Sequence, residues 1–273
     1  MKFGICCSPQ QFATRDGETV AGLERLVEVL AAAGADYVEF PVAVVQAEGD
    51  VQGFEALRGA LETHGLRAQA FNSFIPGHQR IVGEVDLNAV LAFCQVALSR
   101  CKALGAEVIV LGSGSARRVP EGFDAQRARS QFIEFCRELA PIADDVQVDI
   151  AIEPLNKRED NFCNSVQDGA ALMDEITHPR IRLLADLYHM SEENEPMQNV
   201  ADAGARLAHT HVADRARVAP GTAAEEEDFV GFFRALRAAD YRARCSFEGS
   251  FDNVETQIAP MIQFLQRRWR ESA

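Results

Sequence analysis

Short apolar runs typical of β-strands alternate with amphipathic helical runs along the whole chain. In the first helical run, Val20, Leu23, Val27 and Leu30 fall on one face, and Gly34 follows as a helix-ending residue. The pattern predicts eight strands, beginning near Phe3, Tyr37, Arg67, Glu107, Val148, Ile181, Leu207 and Ala243. It predicts a helix after each strand, over residues 19–33, 53–64, 86–104, 124–144, 165–176, 195–206, 228–239 and 253–269.

Eight consecutive strand–helix repeats with no break in composition favour an α/β fold, a single (β/α)8 TIM barrel formed as one domain by residues 1–273. The alternative is a doubly wound open sheet. That fold needs a glycine-rich phosphate turn after the first strand, and Cys7-Ser8-Pro9-Gln10 is not one. The glycines of Leu111-Gly112-Ser113-Gly114-Ser115 are more typical of a tight strand-to-helix turn than of a cofactor cradle.

Composition and charge narrow the functional classes. The chain has 273 residues, 47% of them hydrophobic and 25% charged, which is the balance of a globular enzyme. Its net charge of −14 disfavours binding to nucleic acid. No apolar run is long enough to cross a membrane, and the first residues show no secretory leader. The seven cysteines lack CxxC spacing and are expected to be reduced thiols of the core in a cytoplasmic protein.

Four polar motifs each fall where a predicted strand ends, at strands five to eight. They are Ala151-Ile152-Glu153-Pro154-Leu155-Asn156, Ala185-Asp186-Leu187-Tyr188-His189-Met190, His209-Thr210-His211-Val212-Ala213-Asp214 and Ser246-Phe247-Glu248-Gly249-Ser250. In a barrel these strand ends meet on one face. The motifs therefore predict one divalent-metal site made of Glu153, Asp186, His211 and Glu248.

A single carboxylate at a strand end more often caps a helix or pairs with an arginine. Four such residues at successive strand ends reverse that expectation, because buried charges need a shared partner. Three carboxylates and an imidazole suit Mn²⁺ or Mg²⁺, and Co²⁺ or Zn²⁺ are also compatible. His209 lies on the same strand face as His211, so it either joins the ligands or lies beneath them.

The motifs resemble those of the xylose-isomerase-like TIM-barrel superfamily of sugar isomerases and epimerases. The resemblance is strongest to ketose 3-epimerases related to tagatose and psicose 3-epimerase, and it rests on Glu153-Pro154-Leu155-Asn156, on Asp186 with His189, on His211 with Arg217, and on Glu248. It implies that Glu153, Asp186, His211 and Glu248 bind the metal, with Mn²⁺ as the expected ion. It also implies that Glu153 and Glu248 are the catalytic acid and base, and that Glu159, His189 and Arg217 bind the substrate.

The expected reaction is epimerisation at C3 of a ketose or ketose phosphate through a cis-enediolate. Removing a proton beside a carbonyl and returning one to the opposite face needs two bases, which the paired glutamates supply. The expected partner is a small-molecule sugar, with no nucleic acid and no membrane, and the sequence leaves open whether the chain is a monomer or a homo-oligomer. Alternatives are an inosose dehydratase-like lyase or another isomerase of the superfamily. An apurinic-site endonuclease is less expected, because no histidine lies between His211 and Glu248, and so is a non-catalytic sugar-binding barrel.

Two basic segments leave two interpretations open. Gly77-His78-Gln79-Arg80 and Ala116-Arg117-Arg118 either face the site and bind a phosphate or acid group, or are exposed loop residues on an acidic surface.

Overall fold

The computed structural model describes residues 1–7, 19–45 and 52–273. Eight parallel strands close into a barrel in which each strand pairs with its neighbours in chain order and the eighth pairs with the first. The strands are β1 (Lys2–Cys6), β2 (Tyr37–Pro41), β3 (Ala68–Asn72), β4 (Val108–Leu111), β5 (Asp149–Ile152), β6 (Ile181–Asp186), β7 (Leu207–Val212) and β8 (Arg244–Phe247). The predicted (β/α)8 TIM barrel is confirmed, and the predicted strand starts agree with the observed ones within one residue.

The described helices surround the barrel and connect its strands. They are α1 (Thr19–Ala32), α2 (Gln52–His64), α3 (Leu87–Ala103), α4 (Gly114–Arg117), α5 (Ala125–Asp145), α6 (Val166–Ile176), α7 (Leu187–Glu192), α8 (Gln198–Ala203), α9 (Phe229–Ala238) and α10 (Val254–Glu271). Short 3₁₀ turns cover Val42–Val45, Gly204–Arg206 and Arg215–Arg217. No helix in the described ranges is long and apolar enough to cross a membrane.

The prediction of one helix over residues 195–206 was wrong. Two short helices, α7 and α8, and a 3₁₀ turn occupy the connection between β6 and β7. α7 begins directly after the strand because the Asp186 side chain accepts a hydrogen bond from the backbone N–H of Tyr188, at 2.8 Å. Glu195 stays outside the helices, since it precedes Pro196 and its carboxylate accepts instead from the backbone N–H of Val166 at 2.8 Å.

The barrel interior changes from apolar to polar along the strands. Its lower part is filled by a buried cluster of Tyr37, Ala70, Val108, Val110, Ala151, Leu184 and Ala208. The outward side chains of the strands pack in a larger apolar core with the helices. The seven cysteines are free and buried, as predicted for core thiols. Because the apolar layer ends below the carboxyl ends of the strands, polar side chains collect at that end of the barrel.

Candidate active site

The four predicted ligands come together at the carboxyl end of the barrel. Glu153 follows β5, Asp186 ends β6, His211 lies near the end of β7 and Glu248 follows β8. One ligand atom from each residue lies within 4.8 Å of the others. Glu153, Asp186 and His211 are buried, and the side chain of Glu248 is 22% exposed. The barrel therefore assembles residues that are far apart in sequence into one compact donor set.

The hydrogen bonds of His211 show that this donor set fits a cation. Its Nδ1 atom lies 3.0 Å from Glu153 Oε1 and 3.5 Å from Glu248 Oε2. A single N–H cannot point at both oxygens, whereas a metal ion would accept lone pairs from the nitrogen and from both carboxylates. Three carboxylates that converge in a largely buried site also need a positive charge between them. The residues therefore fit a divalent ion.

The two glutamates have opposite electrostatic environments. Burial raises the pKa of Glu153, and the nearby Glu248 charge adds to this, while His211 acts against it. Burial alone would also raise the pKa of Glu248, but His211 and Arg217 outweigh it and lower the pKa to about 2. Before any ligand binds, Glu153 is the better proton donor and Glu248 the stronger anion.

Arg217 lies between Glu248, a predicted metal ligand, and Glu159, a predicted substrate-binding residue. Its Nη2 atom lies 2.5 Å from Glu248 Oε2 and its Nη1 atom 3.4 Å from Glu159 Oε1. The guanidinium lies 4.9 Å from the centre of the Tyr188 ring, in cation–π contact. The structure thus places Arg217 and Glu159 together at the rim of the cluster of predicted ligands.

His189 is held by the loop that follows β5. Its Nδ1 atom faces the backbone N–H of Asn156 at 3.2 Å and the side-chain Nδ2 of Asn156 at 2.9 Å. Since Nδ1 accepts these hydrogen bonds, the ring proton belongs on Nε2. Nε2 is buried without a hydrogen-bond partner among the described residues and lies 3.6 Å from Asp186 Oδ2. His189 therefore directs a free N–H donor into the site.

Asn156, the last residue of the motif after β5, connects two predicted substrate-binding residues. Its Nδ2 atom lies 3.0 Å from Glu159 Oε1 as well as near His189, so it links both predicted substrate residues. Its own Oδ1 accepts from the backbone N–H of Arg158 at 3.1 Å, which fixes the amide orientation.

A cleft of about 450 Å³ opens above the cluster. Its described lining includes Glu153, Glu159, Arg217 and Glu248. Gly112 is also part of this lining and cannot be replaced without displacement, because a Cβ atom there would lie 2.2 Å from Glu153 Oε2. The glycine after β4 therefore makes room for the glutamate after β5.

Both interpretations of the basic segment Ala116-Arg117-Arg118 were wrong for Arg117. Its side chain is fully buried, with Nε 2.7 Å from Asp160 Oδ2. Its Nη1 donates to the carbonyl oxygen of Leu111 at 3.0 Å, and its Nη2 donates to that of Glu153 at 2.7 Å. Arg117 holds the loops after β4 and β5 together, so it is neither an anion-binding loop residue nor an exposed one.

The neighbouring arginines also contact backbone oxygens. Arg80 donates to the carbonyl oxygen of Arg118, and Arg118 Nη1 donates to that of Glu159 at 3.3 Å. Arg118 is exposed, in agreement with the second interpretation.

Glu39 is a buried carboxylate beneath the cluster that was not predicted as a site residue from the sequence. It is fully buried on β2, with its Oε2 atom 2.7 Å from His209 Nε2 and its Oε1 atom 3.0 Å from His211 Nε2. Burial opposes its ionisation, but His211 and His209 outweigh burial and hold its pKa well below the usual range. His209 therefore lies beneath the metal ligands. A glutamate inside the apolar strand Tyr37–Pro41 was the available sequence signal.

The chain is thus a parallel (β/α)8 barrel with a cluster of three carboxylates and one imidazole at its carboxyl end. Residues 27–268 match the model of the family described as "Xylose isomerase-like TIM barrel". The chain belongs to this family.

Relatives in this family include sugar epimerases. Over 53% of its own length, the chain is 33% identical to an L-ribulose 3-epimerase of Methylomonas sp.. The matched region spans only 50% of the length of that relative. It is 26% identical to a ketose 3-epimerase of Arthrobacter globiformis over 91% of its length and 84% of the relative's. A crystal structure of 3-keto-D-glucoside 4-epimerase from E. coli has the same fold, with a TM-score of 0.81, 20% identity, and coverage of 98% of this chain and 99% of that one.

Proposed function

We propose that the protein is a metal-dependent carbohydrate epimerase that inverts C3 of a ketose or ketose phosphate. The observation that supports this most is the cluster of Glu153, Asp186, His211 and Glu248, whose ligand atoms lie within 4.8 Å of one another. The 3-epimerases among its relatives favour the same chemistry. The expected cofactor is one divalent ion, with Mn²⁺ first and Mg²⁺, Co²⁺ or Zn²⁺ as alternatives.

When bound, the ion would polarise the substrate carbonyl and stabilise the negative charge of the enediolate. Glu153 and Glu248 follow β5 and β8, which are separated by β6 and β7 around the barrel. One glutamate removes the C3 proton as an anion, and the other returns a proton to the opposite face as an acid. The exchange needs one ionised and one protonated glutamate at a time, and the two exchange roles for the opposite epimer.

The remaining site residues bind the substrate. His189 offers its Nε2–H to a substrate oxygen, and Asn156 keeps that proton on Nε2. Arg217 donates to a hydroxyl near the reacting carbon, and Glu159 accepts from another. These contacts hold the carbon that exchanges its proton between the two glutamates.

Turnover in D₂O tests the reaction. Purified protein with Mn²⁺ is incubated with free and phosphorylated ketoses and with inososes, and the products are followed by NMR. We expect an epimer with deuterium at C3, because the proton removed on one face is lost to solvent before the other face is protonated. An epimer without deuterium would favour direct hydride transfer, and loss of water from an inosose would favour the dehydratase alternative.

The variants Glu153→Gln and Glu248→Gln test the acid and base roles of the two glutamates. Each removes one acid or base but keeps an oxygen near the metal, so we expect epimerisation to fall by at least ~10². The control Glu192→Gln changes a carboxylate that pairs with Arg158 away from the cluster and should keep full activity. Full activity in either site variant would contradict the two-base mechanism.

We further propose that residues 1–273 form a single cytoplasmic domain that acts on a small-molecule sugar, without nucleic acid or membrane as a partner, either as a monomer or as a homo-oligomer. The acidic net charge of −14 supports the first of these exclusions.

A further inference from the structure

A buried carboxylate lies directly below the proposed metal site and touches one of its ligands. Glu39 Oε1 is 3.0 Å from His211 Nε2, whereas the opposite ring nitrogen of His211, Nδ1, faces Glu153 and Glu248. The imidazole thus bridges the carboxylate below and the cluster above. Its two nitrogens have different neighbours, so the position of the ring proton depends on Glu39.

The other oxygen of Glu39 is anchored separately. Its Oε2 atom accepts from Ser246 Oγ at 2.6 Å and lies 2.7 Å from His209 Nε2. Ser246 Oγ is in turn 2.7 Å from the hydroxyl of Tyr37. With Oε2 held by these groups, Oε1 faces His211 Nε2 at 3.0 Å. The same ring nitrogen also lies 4.0 Å from the thiol sulfur of Cys6.

Burying a carboxylate anion costs free energy, because hydrogen bonds and opposite charges must replace its lost hydration. Apolar side chains fill the neighbouring layer of the barrel, so packing alone does not require a carboxylate at this place. Proteins commonly orient a metal-binding imidazole by a carboxylate on its second nitrogen. The contacts of Glu39 have this arrangement.

We propose that Glu39 is a positioning residue for metal binding: its Oε1 holds the proton of His211 on Nε2 and thereby presents the Nδ1 lone pair to the divalent ion. This role rests on the proposed metal-dependent function, and Glu39 itself touches neither the ion nor the sugar.

The variant Glu39→Gln tests this role with little change in volume. Ser246 and His209 donate toward the anchored oxygen, so the amide oxygen should take that position and the amide NH₂ should face His211. The ring must then carry its proton on Nδ1, where it blocks coordination. We expect the Kd for Mn²⁺, measured by metal competition, to rise roughly 10- to 100-fold, the usual effect of losing such a partner.

Tyr37→Phe is the matched control. It removes one buried hydrogen bond at the same depth of the barrel, and Tyr37 contacts Ser246 rather than His211. We expect its Mn²⁺ affinity to stay within about twofold of wild type, even if both variants lower the unfolding temperature equally. Equal losses of affinity in the two variants would show a general structural effect and overturn the role of Glu39.

The wild-type protein provides a test that does not depend on a folded variant. In zinc-loaded protein with ¹⁵N-labelled histidine, NMR should show His211 coordinated through Nδ1 and protonated on Nε2. A proton on Nδ1 would contradict the proposal. Failure of wild-type protein to bind any divalent ion would instead remove the proposed function, whereas wild-type affinity in Glu39→Gln would remove only the role of Glu39.

Discussion

At the scale of single residues, Arg217 has the most consequential set of contacts. It binds Glu248 and Glu159 and stacks on Tyr188, and its charge helps to keep Glu248 ionised. The same guanidinium is available to a substrate hydroxyl. Its effect should therefore appear in catalysis rather than in the affinity for the metal.

We predict that Arg217→Ala lowers kcat/KM by roughly 10- to 100-fold, since hydrogen bonds to a charged group contribute about 1.5–3 kcal/mol. Bound metal, measured by elemental analysis, should remain at the wild-type level. Arg215→Ala is the control, because Arg215 lies near Glu225 and Glu227, at 3.7 and 3.6 Å, and not near the cluster. Loss of metal in Arg217→Ala, or equal effects in both variants, would contradict a substrate-binding role.

At the scale of secondary structure, the helix starts were predictable from capping residues. The predicted starts at Asp86, Asp124, Ser165, Asp228 and Asn253 are the observed N-caps of α3, α5, α6, α9 and α10. In each, the side-chain oxygen accepts a backbone N–H of the first turn, which is a local interaction. The connection after β6 was mispredicted because the Asp186 side chain, a proposed metal ligand, also starts α7.

Alanine substitutions at two helical glycines should change the free energy of unfolding in opposite directions. Gly59 is exposed in α2, with nothing within 4 Å of a Cβ atom built there. Gly59→Ala should therefore stabilise the protein by up to about 1 kcal/mol. In α6, a Cβ atom on Gly169 would lie 2.4 Å from Leu183 Cδ1, so Gly169→Ala should destabilise it by about 1–3 kcal/mol.

Denaturant unfolding of both variants measures these changes. Neither glycine lies at the site, so metal affinity should be unchanged in Gly59→Ala. A destabilised Gly59→Ala protein, or an unaffected Gly169→Ala protein, would show that packing around α2 or α6 differs from the described one.

At the scale of the whole molecule, the ligands come from four strands that follow one another around the barrel. A metal ion bound at the proposed site would link β5, β6, β7 and β8 and should bind the folded chain far better than the unfolded one. Saturation at 100 times the Kd would add about 2.7 kcal/mol to the free energy of unfolding.

We predict that Mn²⁺ raises the unfolding temperature in calorimetry and that the shift grows with metal concentration. The double variant Glu153→Gln/Glu248→Gln should lose most of this shift. A single unfolding transition both with and without Mn²⁺ would support the proposed single domain, whereas two unfolding transitions would contradict it. An equal shift in the double variant would place the metal elsewhere.

The sequence by itself determined the fold class and the grouping of the four proposed metal ligands. Strand and helix periodicity is a local property, and eight repeats of it predict the barrel. The barrel then places strand ends together, so Glu153, Asp186, His211 and Glu248 could be grouped from their positions alone.

Only the tertiary structure decided the groups whose partners are distant in sequence. Arg117 looked like a loop residue, yet it is buried against Asp160 and two carbonyl oxygens. Glu39 lies 172 residues from His211, and its contact with that ring depends on β2 and β7 facing each other across the barrel. Burial, ring-proton position and pKa shifts all arise from such contacts, because they are set by which charges meet in the folded interior and not by local sequence.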